Sequence, residues 1–375
     1  MAPAGIGVDL STDARDVTSF SEQQADPIGQ QIGVAVPTIA DVAKHAGVSV
    51  ATAGRVLSGQ GYAGKATRQR VLEAADDLGY VPNRIARSLR LRQTKMLGLL
   101  IADVENSFYS TIARNVESVA RQNGYQVVLC NSSDDPREER DSLNLLEELR
   151  VDGVIITPTP RNRRWLERLR EQDIVIVQID RQVDRLHADA ILVDNERASA
   201  DAVSHLITCG HTEIGIVTGP LDVTTAKLRL AGYRRAMKEH GIQVRPELIS
   251  AGSFQRDDAI KEADSLLSVD HPPTAIFAAN NILAEAVLIT LADMGLTVPT
   301  DMSLVAFDDM PWMSMVNPRL TAVRQPVADM ARSATELLLR RLRNGPGEPT
   351  TVLFNAELVV RGSVATLPRR RKASS

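Results

Sequence analysis

Apolar positions repeat with two different periods along this chain of 375 residues. Between residues 38 and 79 they recur every third or fourth position, which predicts short amphipathic helices. From Met96 onward, short runs rich in Val and Ile alternate with segments of helical period. That alternation is typical of parallel β-sheets with helices on both faces. The pattern therefore predicts a small all-α head followed by a larger α/β body.

Two helices joined by a tight turn open the predicted head. The apolar spacing from Ile39 to Ala46 predicts the first helix, and Gly47 ends it in the manner of a left-handed C-cap. Ser49 is a good N-cap for a second helix from Val50 to about Ser58. This arrangement is a helix-turn-helix unit, whose second helix enters the major groove of DNA with its N-terminal end first. The side chains expected to face inward from the second helix are Ala53, Val56 and Leu57.

The next stretch, "GQGYAGKAT", is one residue away from a phosphate-binding loop, since Ala66 stands where that loop needs a hydroxyl. A phosphate loop must also follow a buried strand, whereas Gly59 follows a predicted helix. We therefore expect a third helix, N-capped by Thr67 and covering "RQRVLEAADDLG". The side chains expected to pack it on the first two helices are Val71, Leu72, Ala75 and Leu78.

Eight apolar runs predict the strands of the body: "MLGLLIA", "YQVVLCN", "DGVIITP", "IVIVQID", "AILVD", "EIGIVTG", "TAIFAAN" and "LVAFDD". Their number and spacing suit two doubly wound lobes. In such folds, ligands bind beyond the carboxyl ends of the strands.

Polar and aromatic side chains gather at those strand ends. This combination suits a polyhydroxylated ligand, which needs hydrogen bonds around its ring and stacking on its face. An enzyme can use the same carboxylates as acid and base. No G-x-G-x-x-G motif, nucleophile elbow or histidine partner accompanies them, so we expect binding without catalysis and no cofactor. The residues concerned are Asp103, Ser107, Phe108, Tyr109, Asp180, Arg181, Asp194, Asn195, Asn280, Asn281, Asp308 and Asp309.

Charge is distributed unevenly along the chain. Residues 38–95 contain ten Lys and Arg against four Asp and Glu, a net charge of +6, and the whole chain carries −4. The remainder therefore carries −10. A basic segment attached to an acidic body indicates a small module that binds anions, although a solvated basic face would give the same count.

Other sequence features exclude several classes of protein. The two cysteines, Cys130 and Cys209, cannot form a disulfide framework and indicate reduced, buried thiols of a cytoplasmic protein. The six histidines lack metal-ligand spacing, and no apolar run is long enough for a membrane span. Residues 1–36 have no regular period, carry no secretory signal and are expected to be a disordered tail, with Val34 or Val36 as an alternative start.

Helical geometry assigns roles on the second helix. Val50, Ala51, Thr52 and Arg55 lie opposite its inward face and can reach base edges. Arg55 can bind guanine O6 and N7, and the short apolar side chains suit thymine methyl groups. The hydroxyl groups of Thr52, Ser49 and Ser58 are better placed for phosphate oxygens. A solvated surface arginine is the alternative interpretation of Arg55.

The segment "TIADVAKHAGVSVATAGRVLSG" resembles the DNA-reading head of the LacI/GalR family of bacterial transcription regulators. The usual family pattern is T-I-x-D-V-A-x-x-A-G-V-S-x-x-T-V-S-R-V-L-N-G. This chain departs from it at Ala53, Gly54 and Ser58. Glycine inside the recognition helix costs about 1 kcal/mol relative to alanine and removes a hydroxyl expected to contact phosphate.

The resemblance continues in "YVPNRIARSLRLRQTK", which matches the family's hinge helix. It implies that this segment pairs with its dimer mate in the minor groove and that Leu89 intercalates and kinks the duplex. The alternative is a disordered basic linker. The DNA-binding residues expected altogether are Thr38, Ser49, Val50, Ala51, Thr52, Arg55, Ser58, Asn83, Arg84, Arg87, Ser88 and Leu89.

In the body, "RLAGYRRAM", "LVAFDDMPW" and "LTAVRQP" carry the same resemblance. It implies a pair of lobes of periplasmic-binding-protein type I, a homodimer formed through helices such as "YSTIARNVESVARQNG", and an effector that is a carbohydrate or a related metabolite. Where relatives commonly have Asn-Asp, this chain has Asn280 and Asn281. The effector-binding residues implied are Phe108, Tyr109, Asp180, Arg229, Phe254, Asn280 and Asp308.

The expected organisation is a tail (1–36), a helix-turn-helix domain (37–81), a hinge helix and linker (82–95), a two-lobed effector-binding and dimerisation domain (96–363) and a basic tail (364–375). The function expected is a cytoplasmic transcriptional regulator, a repressor of palindromic operators under allosteric control. A solute-binding protein without DNA function is the main alternative, and a phosphate-loop or sugar-modifying enzyme is the third.

Overall fold

The computed structural model describes residues 37–58, 62–80, 93–345 and 347–368. The chain divides into two compact units, Met1–Asn83 and Arg84–Ser375. The described part of the first unit is the head, and that of the second is the body.

The head contains three helices, α1 (Ile39–His45), α2 (Val50–Ser58) and α3 (Lys65–Asp77). Thr38 and Asp41 form a capping box at the start of α1, in which the Asp41 carboxylate accepts the Thr38 backbone N–H at 2.8 Å. Gly47 has a φ of +63° in the turn that follows α1. Ser49 Oγ accepts the backbone N–H of Thr52 at 3.2 Å, which confirms the predicted cap of α2.

Two details of the third helix differ from the prediction. The helix begins at Lys65 after Gly64 rather than after Thr67, because Lys and Ala are good helix formers and extend it by a turn. Leu72 is 44% exposed, since the inward stripe of α3 follows residues 71, 74, 75 and 78. The buried side chains of the head are Val42, Ala43, Ala46, Ala53, Val56, Val71, Ala74 and Ala75.

The body contains two six-stranded sheets, one in each lobe. The strands of lobe 1 are β1 (Met96–Ile101), β2 (Gln126–Asn131), β3 (Gly153–Ile156), β4 (Val175–Ile179), β5 (Asp189–Val193) and β11 (Thr351–Phe354). The strands of lobe 2 are β6 (Ile214–Thr218), β7 (Ile249–Ala251), β8 (Ala275–Ala278), β9 (Ser303–Phe307), β10 (Thr321–Arg324) and β12 (Glu357–Val359).

Eight helices pack on these sheets in the described part of the body: α4 (Ser107–Gln122), α5 (Pro136–Glu148), α6 (Arg163–Glu171), α7 (Asn195–Thr208), α8 (Thr224–Glu239), α9 (Arg256–Leu267), α10 (Asn281–Asp293) and α11 (Val327–Asn344). Helices α4, α5, α6 and α11 cover lobe 1, and α7 to α10 cover lobe 2. The central strands are buried on both faces, which explains why they appear in the sequence as continuous apolar runs.

The two lobes repeat one topology. The strand order is β11-β5-β4-β3-β1-β2 in lobe 1 and β12-β10-β9-β8-β6-β7 in lobe 2. All neighbours are parallel except β10 and β12, which are antiparallel. The chain crosses between the lobes after β5, after β10 and after β11. Strand β4 therefore occupies the position in lobe 1 that β9 occupies in lobe 2.

The predicted fold class is confirmed, with four additional strands. Strands β7, β10, β11 and β12 have only three or four residues each and lie at or next to sheet edges. Strands β7, β11 and β12 are partly exposed, whereas β10 is short but buried except at Arg324. Cys130 is buried as expected, whereas Cys209 is only half-buried. The first residues of the predicted C-terminal tail lie along lobe 2, since Leu367 N donates to Cys209 O at 2.8 Å.

Candidate functional site

Helix α2 exposes the face that the sequence assigns to DNA. Val50 is 50% exposed, Ala51 and Arg55 are also exposed, and Thr52 is half-buried. The opposite face, including Ala53 and Val56, is buried in the head core. An exposed valine at a helix start gains nothing from the head's own packing, so it is available for contact with another molecule.

Hydroxyl groups and a guanidinium group form a short chain of hydrogen bonds along α2. Ser49 Oγ and Thr52 Oγ1 lie 2.9 Å apart, and Arg55 Nη2 donates to Thr52 Oγ1 at 3.4 Å. Ser58 Oγ donates to the Arg55 carbonyl at 3.1 Å. Thr38, the first of the predicted DNA contacts, donates its hydroxyl to Asp41 at 2.6 Å. The remaining predicted contacts lie outside the described residues: Asn83, Arg84, Arg87, Ser88 and Leu89.

All seven predicted effector-binding side chains line one cleft between the lobes: Phe108, Tyr109, Asp180, Arg229, Phe254, Asn280 and Asp308. Most come from the carboxyl ends of strands or from the starts of the helices that follow, whereas Arg229 lies in the second turn of α8 and Phe254 in the loop between β7 and α9. This is the location that doubly wound sheets favour for ligands. Phe108 and Tyr109 pack edge to face, with ring centroids 5.0 Å apart.

Two aspartates occupy equivalent positions in the lobes. Asp180 directly follows β4, Asp308 directly follows β9, and their φ angles are +67° and +68°. Asp tolerates this left-handed conformation better than most residues, at some cost in backbone strain. Each aspartate residue is 5% exposed. The repeated topology therefore places one buried carboxylate on each side of the cleft.

Arg229 is a buried cleft residue rather than a surface arginine. Its Nε donates to Asn195 Oδ1 at 2.8 Å and its Nη1 donates to the Ala279 carbonyl at 2.5 Å. The guanidinium group lies 3.7 Å from the centroid of the Phe307 ring, and Nη1 is 3.7 Å from Asp308 Oδ2. These contacts fix the guanidinium plane on the lobe 2 wall.

Arg181 and Phe254 close the cleft from opposite lobes. The Arg181 guanidinium pairs with the Asp134 carboxylate in lobe 1 and lies 5.2 Å from the centroid of the Phe254 ring in lobe 2. Phe254 in turn requires Gly219 at the end of β6, because a Cβ there would come within 2.2 Å of the ring. The aromatic wall therefore depends on a residue without a side chain.

Burial is the largest cause of the raised pKa values of two side chains in the cleft. It raises the pKa of Asp180 to about 6, against the opposing effect of the guanidinium groups of Arg181 and Arg229. Burial also raises the pKa of Tyr109 well above its ordinary value. The Tyr109 hydroxyl therefore stays protonated and donates to Asp180 Oδ2, at 3.4 Å.

The cleft is closed in this structure. Its cavity has a volume of about 30 Å³, room for roughly one or two water molecules, whereas ligand pockets usually measure hundreds of Å³. Asn106 of lobe 1 and Asn281 of lobe 2 join the lobes through reciprocal amide hydrogen bonds of 3.2 and 3.1 Å. Both asparagines are buried. The lobes must move apart before a sugar-sized ligand can enter.

Several strand-end residues have other roles. Asp194 caps α7 by accepting the Arg197 N–H at 3.1 Å, and Asn195 orients Arg229. Asp309 pairs with Arg324 and Arg361 and does not line the cleft.

The sequence interpretation missed five lining residues: Asn106, Asp134, Thr225, Gln255 and Ile282. Asp134 follows β2, so the strand-end rule that found Asp180 could have found it as well.

Residues 37–58, 62–80, 93–345 and 347–368 contain neither a metal-binding cluster nor a membrane-spanning helix. No group of three or more His, Cys, Asp or Glu side chains is placed to hold a metal ion there. Every helix of this part is too short or too polar to cross a lipid bilayer.

Both units match families of known proteins. Bacterial regulatory proteins of the lacI family match at residues 38–83, and a periplasmic binding protein-like domain matches at residues 203–364. The HTH-type transcriptional repressor PurR of Aliivibrio salmonicida (strain LFI1238) is 34% identical over 331 residues, which cover 88% of this chain and 99% of PurR.

Solved structures agree with these sequence matches. The transcriptional regulator CelR in complex with cellobiose is 30% identical, with a TM-score of 0.67 over 87% of this chain and 99% of CelR. The lac repressor dimer bound to operator and the anti-inducer ONPF is 26% identical, with a TM-score of 0.77 over 88% of this chain and 99% of that chain. The relatives are transcriptional regulators rather than enzymes. The chain therefore belongs to the lacI family of bacterial regulatory proteins, and it is a DNA-binding transcriptional repressor under effector control.

Proposed function

We propose that this repressor binds a palindromic operator as a homodimer through α2, and that a carbohydrate or related metabolite controls it from the cleft. The observation that carries the proposal is the convergence of all seven predicted effector side chains on one cavity. The proposed place of action is the cytoplasm, where a bacterial operator lies.

The exposed face of α2 supports the DNA-reading part. When the N-terminal end of α2 lies in the major groove, Val50 and Ala51 contact thymine methyl groups and Arg55 binds guanine O6 and N7. Ser49, Thr52 and Ser58 lie on or beside this face and contact phosphate oxygens. Basic side chains at the exposed positions 65, 68 and 70 of α3 add attraction that does not depend on base sequence.

Two features of lobe 1 support the homodimer. Helix α4 buries one face, with Ile112 and Val116 in the core, and leaves its other face on the surface. The adjacent strand β2 is a sheet edge and leaves Leu129 46% exposed. A second copy that covers α4 and β2 removes this apolar side chain from water, and the two-fold symmetry of such a dimer requires a palindromic operator.

The cleft supports effector control. A ligand that enters must change the relative position of the two lobes, and we propose that this change alters the spacing of the segments that lead to the two heads of a dimer, residues 82–95. The coupling between effector and operator is reciprocal and typically about 1–3 kcal/mol. An effector that changes operator affinity will therefore have its own affinity changed by operator to the same extent.

The test of DNA reading compares Arg55→Ala with Arg55→Lys and with Lys44→Ala, an equal charge loss on the exposed surface of α1. Binding is measured by fluorescence anisotropy on duplexes from the gene's own upstream region at low salt. In Arg55→Ala, the ratio of the affinity for the operator to the affinity for duplexes changed at one G·C pair should fall roughly 10- to 100-fold. Arg55→Lys should restore only part of this ratio.

Lys44→Ala should change binding by the same factor on all duplexes, because Lys44 is not among the expected base contacts and its charge attracts DNA without base preference. Unchanged discrimination by Arg55→Ala would remove Arg55 from the base contacts. Failure of the wild-type chain to bind any palindromic duplex, with or without sugars, would instead favour a solute-binding protein without DNA function.

A further inference from the structure

One carboxylate holds the two residues that directly precede β1. Asp152 Oδ1 accepts the Thr94 N–H at 2.7 Å and the Thr94 hydroxyl at 3.0 Å, and Asp152 Oδ2 accepts the Lys95 N–H at 3.0 Å. Hydrogen bonds to an ionised acceptor are stronger than those between neutral groups. All the hydrogen bonds that this carboxylate accepts from the described residues therefore serve the point where the chain enters lobe 1.

The backbone around this carboxylate has a conformation that residues with side chains rarely adopt. Lys95 has a φ of +57°, and Arg150, in the turn between α5 and β3, has a φ of +51°. The Thr94 hydroxyl also lies 3.0 Å from the Arg150 carbonyl oxygen, to which it donates. A left-handed residue other than glycine persists only where surrounding contacts hold it. The contacts of Thr94 and Asp152 therefore fix the backbone at Lys95.

Lys95 is also held from the opposite side of β1. Gln126 N donates to the Lys95 carbonyl at 2.9 Å. Lys95 Nζ donates to the Tyr125 hydroxyl at 3.2 Å and lies 4.4 Å from the centroid of the Tyr125 ring. Strand β1 pairs with β2 on this side and with β3 on the side of Asp152. Residues 94 and 95 are thus tied to both neighbours of β1.

Strand β1 connects this attachment directly to the cleft. The attachment precedes its first residue, Met96, and the cleft residues Asp103 and Asn106 follow its last residue, Ile101. Six residues of strand span about 20 Å. Residues 97–101 are buried, so β1 moves together with the rest of lobe 1. A movement of lobe 1 at the cleft is therefore carried to residues 94 and 95.

We propose that Asp152 is a positioning residue, which fixes the direction in which the chain from the head enters lobe 1. Without its carboxylate, residues 94 and 95 could rotate, and the direction of the chain that leads to each head would vary. The inference rests on the proposed function in one respect, that two copies bind the two halves of a palindromic operator. It adds a residue outside the DNA-reading face and outside the cleft on which this joint binding depends.

The test compares two duplexes, with the full chain and without effector. One carries the palindrome from the gene's own upstream region, the other carries one half of it, and fluorescence anisotropy at low salt measures binding. One head on one half-site needs no fixed direction, whereas joint binding depends on the effective concentration of the second head at the second half-site. Asp152→Ala should therefore leave the half-site affinity unchanged and lower the palindrome affinity about tenfold.

Two asparagine variants form a matched pair. In Asp152→Asn, the amide keeps an oxygen for Thr94 but presents an N–H group to the Lys95 N–H. Its palindrome affinity should therefore fall between those of the wild type and Asp152→Ala. Asp173 lies two residues before β4, the strand next to β3, and is exposed. Asp173→Asn removes the same charge near the same sheet edge and should keep the wild-type affinity for both duplexes.

Each other result has a defined meaning. An unchanged palindrome affinity in Asp152→Ala, or an equal loss on both duplexes, would overturn the proposal. Light scattering at the assay concentration should give this variant the mass of the wild type, and loss of the dimer would assign the weaker binding to assembly and also overturn it. A wild-type chain that binds the palindrome no more tightly than the half-site would contradict the proposed homodimeric binding, and the inference would be lost with it.

Discussion

Two asparagines that join the lobes provide the sharpest quantitative prediction. Asn106 and Asn281 exchange two neutral hydrogen bonds in a buried setting. At about 1 kcal/mol each, the pair favours the closed lobes by about 2 kcal/mol, a factor of roughly 30. No ligand is needed for this stabilisation, so we expect the repressor to be substantially closed without effector.

Aspartate at these positions tests the pair while preserving the helices. Asn106 also caps α4 by accepting the Phe108 N–H at 3.0 Å, and Asp caps helices equally well. At position 281, in the first turn of α10, Asp is favourable to the helix dipole. Either single variant keeps one charge-assisted bond worth about 1.5–3 kcal/mol, close to the wild-type pair.

The double variant Asn106→Asp/Asn281→Asp should open. It loses both hydrogen bonds and places two carboxylates about 3 Å apart, a repulsion of about 5 kcal/mol at an effective dielectric constant of 20. Sharing one proton relieves the repulsion but raises the pKa of the pair in the closed state. Closure is therefore retained at low pH and lost as pH rises through that raised pKa.

Hydrogen–deuterium exchange of peptides spanning residues 104–112 and 279–286 measures the opening without any ligand. At pH 8 the double variant should exchange at least about tenfold faster than the wild type after correction for intrinsic rates, and at pH 5 the difference should shrink. Both single variants should follow the wild type. Equal exchange in the double variant and the wild type at pH 8 would refute the inference that this pair holds the lobes together.

Two further predictions concern stability. Gly54→Ala should stabilise the head by up to about 1 kcal/mol, because the added Cβ would meet Ile39 Cδ1 at an ordinary van der Waals distance of 3.6 Å. Hydrogen exchange of peptides from the head measures this stability, and faster exchange in the variant would contradict the prediction. Burial raises the pKa of Glu139 from 4.5 to about 7, although hydrogen bonds from Thr159 and Asn162 oppose this rise. The stability that the protonated Glu139 contributes to the folded state is therefore fully present below pH 4.5 and is lost as the pH rises through 7. Urea unfolding at pH 5 and pH 8 should show the wild type losing about 2.5 kcal/mol relative to Glu139→Gln over this interval, and parallel curves would contradict this.

Local rules in the sequence located most of the head and about half of the cleft lining, and the family resemblance added Arg229 and Phe254. Cap residues such as Ser49 and the inward stripe of α2 depend on neighbours within one or two helical turns, so the helix-turn-helix unit could be read directly. Asp180 and Asp308 were found because the carboxyl ends of parallel strands meet at one sheet edge whatever the remaining topology. The same rule would have found Asp134 if every strand had been treated alike.

What the sequence could not supply depends on contacts between distant segments. Strands β11 and β12 are recognisable only by their pairing with β5 and β10, because each has only three or four residues and is partly exposed along its whole length.

The doublet of Asn280 and Asn281 shows the same limit at the cleft. In the sequence the two residues form one candidate ligand motif, whereas in the structure only Asn280 lines the cavity, while its Oδ1 caps α10 through the Leu283 N–H. Asn281 instead bonds a residue 175 positions away in the other lobe. Alanine at the two positions, which unlike aspartate keeps no side-chain hydrogen bond, should therefore have separable effects, on ligand contact at Asn280 and on lobe closure at Asn281.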